Sequence, residues 1–268
     1  MGKDWDQHVL EAEQLARSDG FEQLRDEIVR LARPRPDDVV VDVGAGTGLL
    51  TLALAPRVAR VLAIDISAAM LDYLEMKTEA ADLDNVQTAL ANAVDLPLED
   101  GSASLVVSNY CYHHLSDDDK ERAIVDVFRV LRPGGRIVVG DMMFRVEMAD
   151  RRSRHVIASK VRAFLRRGPA GLLRLLKNAL RLLLGRWEQP ADAKWWRRAL
   201  ERAGSTDIRI RLLEHEGGII SARRAVPTRR EQRRRRPRIS RGTANLLAST
   251  DRSPQRILAS DSSEVPAV

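Results

Sequence analysis

Only one cysteine, Cys111, stands among the 268 residues. A lone thiol excludes an intramolecular disulfide framework and any four-cysteine zinc site, and it fits a reducing cytosol. No apolar stretch follows a basic head near the first residues, so no signal peptide is expected. A membrane-spanning helix needs about 18 apolar residues in a row without charges, and no such run occurs. These absences lead to the expectation of a cytoplasmic protein with no metal site.

Charge of one sign is also missing where a basic chain would be expected to show it. The formal net charge is +6, yet residues 1–144 hold 14 basic against 26 acidic side chains. The excess of arginine and lysine sits in two stretches: residues 145–187 hold 12 basic and 2 acidic side chains, and residues 222–268 hold 12 and 4. Electrostatics therefore oppose nucleic-acid binding by the main body, and a weak nucleic-acid contact is left to the arginine-rich tail.

What is present begins at Val39-Val40-Val41-Asp42-Val43-Gly44-Ala45-Gly46-Thr47-Gly48. An apolar strand ends in an acidic residue, glycines follow at every second position, and a helical pattern starts at Leu49. Glycine tolerates positive φ and lets a ligand touch the backbone. A helix N-terminus just beyond offers free N–H groups to a carboxylate or phosphate. The dinucleotide fingerprint needs its third glycine at position 49, which is Leu. A second strand, Arg60 to Ile64, ends in Asp65-Ile66-Ser67, near the offset of roughly 20 residues at which a carboxylate meets ribose hydroxyls. Further strands are expected at Val86 to Leu90, Ala103 to Val107 and Arg136 to Gly140. Helices are expected at about Ser67 to Ala81 and Ser116 to Leu131, with a turn at Arg132-Pro133-Gly134-Gly135. Strands alternating with helices in this way argue for a parallel sheet covered on both faces.

The ordered set Asp42 to Gly48, Ile64 to Ser67, Asn92 to Leu98, His113-His114-Leu115 and Leu131 to Gly135 resembles the small-molecule branch of the class I S-adenosylmethionine (SAM)-dependent methyltransferases, of the type 11-like kind. The likeness is strong over about residues 36–144 and looser to about residue 222. It implies an α/β fold: a Rossmann-like, doubly wound, mostly parallel seven-stranded sheet with an antiparallel terminal hairpin and a helical lid insertion. It also implies SAM as cofactor and methyl transfer (EC 2.1.1.-) to a small acceptor by in-line displacement. In that reading Gly44, Ala45 and Gly46 present backbone to the methionine moiety and Asp42 helps hold its ammonium. Asp65 holds the ribose hydroxyls, Ile66 lies against the adenine, and Asn109 faces the sulfonium. Asn92 stands where relatives usually carry Asp, so a weaker adenine contact is expected there, with the Ala93 N–H beside it. The candidate bases are His113, after the fourth strand, and Asp141, after the fifth; either is needed only if the acceptor must lose a proton.

Five segments follow. Residues 1–35 form an N-terminal helical cap, with helices at about Lys3 to Arg17 and Phe21 to Leu31. Residues 36–144 are the SAM-binding core, and 145–189 a basic amphipathic insertion, or lid. Residues 190–222 complete the core sheet, through a helix from Pro190 to Ala203 and strands at Thr206 to Leu213 and Gly218 to Ala222. Residues 223–268 are a disordered, arginine-rich tail. In the insertion, leucines recur on a wide face with Arg174, Lys177 and Arg181 in a narrow stripe. A lid over the site is the first reading and peripheral membrane contact through 155–187 the second. The oily face mildly favours a hydrophobic acceptor, with Trp187 as a lining candidate. Ser108-Asn109-Tyr110-Cys111 lacks the prolines of amino-directed and cytosine-directed nucleic-acid enzymes, and radical SAM chemistry would need three cluster cysteines. Two alternatives stay open: a non-catalytic SAM-binding protein, and a nicotinamide-dependent oxidoreductase, which Leu49 and the Arg-Pro-Gly-Gly turn oppose. Oligomeric state is not legible.

Overall fold

In a computed structural model, the structure describes residues 5–144, 189–213 and 217–227, with a few isolated positions between 158 and 168. The basic insertion, Trp187 and the tail beyond residue 227 lie outside the described residues.

Seven strands form one sheet in the order β3-β2-β1-β4-β5-β7-β6. They are β1 (Val39–Val43), β2 (Arg60–Asp65), β3 (Val86–Leu90), β4 (Ala103–Asn109), β5 (Leu131–Met142), β6 (Ser205–Leu212) and β7 (Gly217–Arg224). The first five run parallel, while β7 is antiparallel to both β5 and β6. The chain reverses direction of travel across the sheet between β1 and β4, the point at which open α/β sheets leave a crevice beyond their strand ends.

Alternation within the strands divides the core between two faces. Val40, Leu105, Val107, Val138 and Ile219 pack against Leu24, Ile28, Val29 and Ala32 of helix α2 (Asp19–Ala32). Val41, Val106, Ile137 and Val139 meet Ala123, Ile124, Val127 and Phe128 of α5 (Asp117–Val130) on the other face, with Trp195 and Trp196 of α6 (Ala193–Arg202). Side-chain caps set the helix starts: Ser67 accepts from Met70 N–H at α4 (Ala68–Ala80), Ser116 from Asp119 N–H, and Asp192 from Trp195 N–H. Ahead of the sheet lie α1 (Val9–Ala16) and a single 3-10 turn, Asp6–His8.

Three expectations change. The helical pattern from Leu49 yields only α3 (Thr51–Leu54) and a 3-10 turn, Ala55–Arg57, because Pro56 has no N–H to continue the ladder. Arg132 to Gly135 is not a turn before a strand. Ala103 pairs with Leu131 and Leu105 with Arg136, so these four residues bulge out inside β5. Finally, β7 continues through Arg223 and Arg224, two residues into the stretch expected as tail.

A buried polar knot closes the base of the sheet. Asp38 and Arg136 form an ion pair, and Ser104 Oγ donates to Asp38 Oδ1 at 2.7 Å. Arg35 N–H donates to Asp38 Oδ2 at 2.8 Å, and Arg136 Nε donates to the Ala32 carbonyl at 3.0 Å. Replacing Arg136 by Met would leave the Asp38 charge buried without its cation. The expected cost is about 3–5 kcal/mol, read as a shift in the urea midpoint at neutral pH.

Candidate active site

The glycine loop leaves β1 after Val43 and is tied at once to the neighbouring strand β2. The N–H groups of Gly44 and Ala45 both donate to the Ile64 carbonyl, at 2.8 and 3.0 Å. Gly44 has φ +70°, and a Cβ there would lie 2.5 Å from Cys111 Sγ. The sole cysteine is thus the packing surface under the loop. Burial pushes its thiol far up, and Asp141, Asp65 and Asp42 add to this, so it is no thiolate. Gly46 differs. Its φ is +51°, and a Cβ there would meet nothing within 4 Å. The backbone therefore faces open space at the position where a ligand would have to approach it.

Asp65 joins two loops. Its Oδ2 accepts from Gly46 N–H at 2.8 Å and its Oδ1 from Ser67 N–H at 3.0 Å. Burial nonetheless raises its carboxyl above the usual range, and the Asp6 carboxylate contributes. Asp42, 1% exposed, accepts from Thr51 Oγ1 at 2.7 Å. Burial pushes it up to about 7, the Thr51 hydroxyl opposes this, and Asp65 reinforces it. Two adjoining carboxylates whose burial works against their charge make a place for a cationic or hydroxyl-bearing ligand.

The other expected residues surround this pair unequally. Ile66 is 60% exposed, an apolar surface left open beside Asp65. Asn92 is exposed, and its Oδ1 accepts from Val94 N–H at 3.2 Å, so its side chain closes its own turn. Ala93 follows in that turn and is half-buried, while Ala91 N–H donates to the Asp65 carbonyl at 2.9 Å. Asn109 sits at the end of β4 with its Oδ1 buried and no hydrogen-bond partner among the described residues. That oxygen lies on the α2 side, against Gly140 and near Ile28.

His113 and Asp141, the alternative bases, are one unit. His113 Nδ1 and Asp141 Oδ1 are 2.6 Å apart, and Asp141 Oδ2 accepts from the His113 backbone N–H at 3.0 Å. Both are buried, at 3% and 1% exposure. The His113 ring is flanked by His114, with centroids 3.8 Å apart, and by Tyr110 at 5.5 Å. The His113 carbonyl accepts from Gln189 N–H at 2.8 Å. Among the described residues no group of three or more His, Cys, Asp or Glu could hold a metal ion.

Tyr110 holds φ +54° directly after β4, a conformation rare for an aromatic residue. Two other contributors escape sequence reasoning. Lys77 of α4 donates to the Thr47 carbonyl inside the glycine loop at 2.9 Å and to Glu13 of α1 at 2.8 Å. Neither has a local signature, since Lys77 reads as an ordinary solvated helix residue and Glu13 as another acidic one.

Comparison with known proteins agrees with this geometry. Residues 40–135 match a family model described as a methyltransferase domain. The chain is 39% identical over 100 residues to the uncharacterized protein YafE of Escherichia coli K12, covering 37% of this chain and 47% of that protein. It is 34% identical over 122 residues to the demethylmenaquinone methyltransferase of Symbiobacterium thermophilum, covering 44% and 48%. The chain spans about half the length of these curated relatives. A crystal structure of a SAM-dependent methyltransferase from Aquifex aeolicus superposes with TM-score 0.56 at 18% identity, over 80% of this chain and 97% of that one, and shows the shared fold. The sheet order, the switch-point loop and the family match agree: residues 40–135 resemble a methyltransferase domain, on a fold shared with solved methyltransferases.

Proposed function

We propose that this protein transfers a methyl group from S-adenosylmethionine to a small-molecule acceptor. The observation that supports this reading best is the junction of Gly46 and Asp65. Backbone open to a ligand stands within one hydrogen bond of a carboxylate suited to vicinal hydroxyls. When bound, S-adenosylmethionine supplies a methyl group already activated on a sulfonium, which an acceptor lone pair takes by in-line displacement. The residues then have three tasks. Asp65 orients the ribose; Asp42, with the backbone of Gly44, Ala45 and Gly46, receives the amino-acid end; Ile66, Asn92 and Ala93 border the adenine. Alignment and exclusion of water supply the rate, so no nucleophile in the chain is required.

Where the acceptor carries a proton to be lost, the His113–Asp141 pair is arranged to take it. The 2.6 Å contact ties the ring's Nδ1 to the carboxylate, so Nε2 is the ring atom left to receive a proton from the acceptor. His113→Ala is expected to lower turnover by about 100-fold or more with such an acceptor, while SAM affinity changes by less than about threefold. Unchanged turnover would leave the pair a purely structural clasp. The leucine-rich stretch after Phe144 favours an apolar acceptor, and similarity to a demethylmenaquinone methyltransferase supports that choice.

The decisive experiment offers methyl-labelled S-adenosylmethionine with a panel of small acceptors, oily ones included, and follows release of S-adenosylhomocysteine. Binding without transfer across the panel would favour a SAM-binding partner protein. Preference for a nicotinamide dinucleotide in calorimetry would reject the cofactor assignment.

A further inference from the structure

Helix α1 is attached to the body in an unusual way. Leu10 and Leu15 are exposed, at 71% and 51%, and its one buried residue is Glu13. The 3-10 turn before it buries nothing. Polar contacts hold both, and these land on the two loops assigned above to the cofactor. Glu13 Oε2 accepts from Lys77 Nζ at 2.8 Å, and the same ammonium donates to the Thr47 carbonyl at 2.9 Å, between Gly46 and Gly48. Arg17 Nε occupies the other Glu13 oxygen at 2.8 Å. Asp6 Oδ1 accepts from Ser67 Oγ at 2.5 Å and from Ala69 N–H at 3.3 Å, over the first turn of α4 and next to Asp65. Trp5 lies 4.6 Å from the His114 ring and Phe21 4.8 Å from Tyr110, both beyond the end of β4.

We propose that Asp6 and Glu13 are positioning residues for the cofactor, bracing the ribose turn and the glycine loop from outside and lengthening the time the cofactor stays bound. A segment held by a few polar contacts rather than by apolar burial contributes little to global stability and parts from the body easily. A carbonyl fixed by an ammonium, and a helix turn fixed by a carboxylate, restrain the loop backbone against which the ligand sits. Removing either restraint frees the loops in the complex, and such losses appear mainly in the dissociation rate. The inference rests on the cofactor reading above.

The test uses the full chain and S-adenosylhomocysteine as probe, with association and dissociation followed by stopped-flow tryptophan fluorescence. Asp6→Ala and Glu13→Ala are each expected to raise the dissociation rate about tenfold, with the association rate changed by less than about threefold. The ligand-free melting temperature should move by only a few degrees for either variant. Asp6→Asn keeps an oxygen to accept from Ser67 and Ala69 and should restore the rate to within about threefold of wild type. Dissociation at the wild-type rate in both alanine variants would overturn the assignment. So would equal acceleration of binding and release, which marks a gate with no hold on the bound cofactor. If the wild-type protein bound no S-adenosylhomocysteine, the cofactor reading itself would fall first.

Discussion

Asp65→Ala should abolish useful binding of S-adenosylmethionine and leave the protein folded. Two ribose hydroxyls donating to one ionised carboxylate are worth about 3–5 kcal/mol together, since each charge-assisted bond contributes about 1.5–3 kcal/mol. The expected loss of affinity is therefore about 150-fold to 5,000-fold. Fold stability should not follow it down. Although the carboxylate takes N–H groups from Gly46 and Ser67, burial and the neighbouring Asp6 raise its pKa, so the native protein holds this charge at a cost. A raised carboxyl contributes stability that is fully present only below its unfolded value and is lost as pH rises through its folded one. At neutral pH this cost offsets part of what the two backbone hydrogen bonds contribute, so removing the side chain should lower stability much less than it lowers affinity. Calorimetry with the cofactor and urea unfolding without it would measure the two effects separately. An affinity close to that of wild type would mean that the ribose lies elsewhere.

Asp42→Asn carries the same opposition further and gives it a pH signature. Burial pushes Asp42 up to about 7 in the ligand-free protein, against an ordinary value of 3.8. The native state therefore binds a proton that the unfolded chain releases near pH 4, and stability falls as pH rises from about 4 to about 7. The amide cannot ionise, so the substitution removes that slope. Unfolding free energies of wild type and variant should be close near pH 4 and differ by up to about a few kcal/mol in favour of the variant at about pH 8. Cofactor binding should respond in the opposite direction. An ammonium is held by ionised Asp42, so wild-type affinity should rise with pH up to about 7, by as much as about tenfold per unit, and then level off. The variant should bind weakly and show no such rise. Parallel pH curves for the two proteins would remove Asp42 from the amino-acid end of the site.

Legibility was uneven, and the reason lies in the range of the forces involved. The positions of β1 to β5, α4 and α5 follow from apolar periodicity and from Ser67 and Ser116 as caps, all interactions within a few residues along the chain. The terminal antiparallel pair was expected from the family resemblance, and β7 runs two residues further than expected because Arg223 and Arg224 still pair with the neighbouring strands. Where the reading missed, a local signal was overruled. Pro56 cut the helix after the glycine loop, and pairing of Leu131 with Ala103 drew the Arg-Pro-Gly-Gly segment into the strand as a bulge.

The chain alone determined the class of site: glycines spaced to expose backbone, Asp65 at the end of the next strand, and Leu49 in place of the dinucleotide glycine. Those are matters of backbone conformation and strand length, written in contiguous residues. Tertiary structure decided which side chains meet. It made His113 and Asp141, 28 positions apart, a single buried pair instead of two competing bases. It set Cys111 under Gly44, and it carried Asp6 across 61 positions to the start of α4. A carboxylate reads the same in a sequence whether it is solvated or buried, because desolvation depends on neighbours that only folding supplies. For that reason the raised Asp42 and the braced loops could be found only in three dimensions.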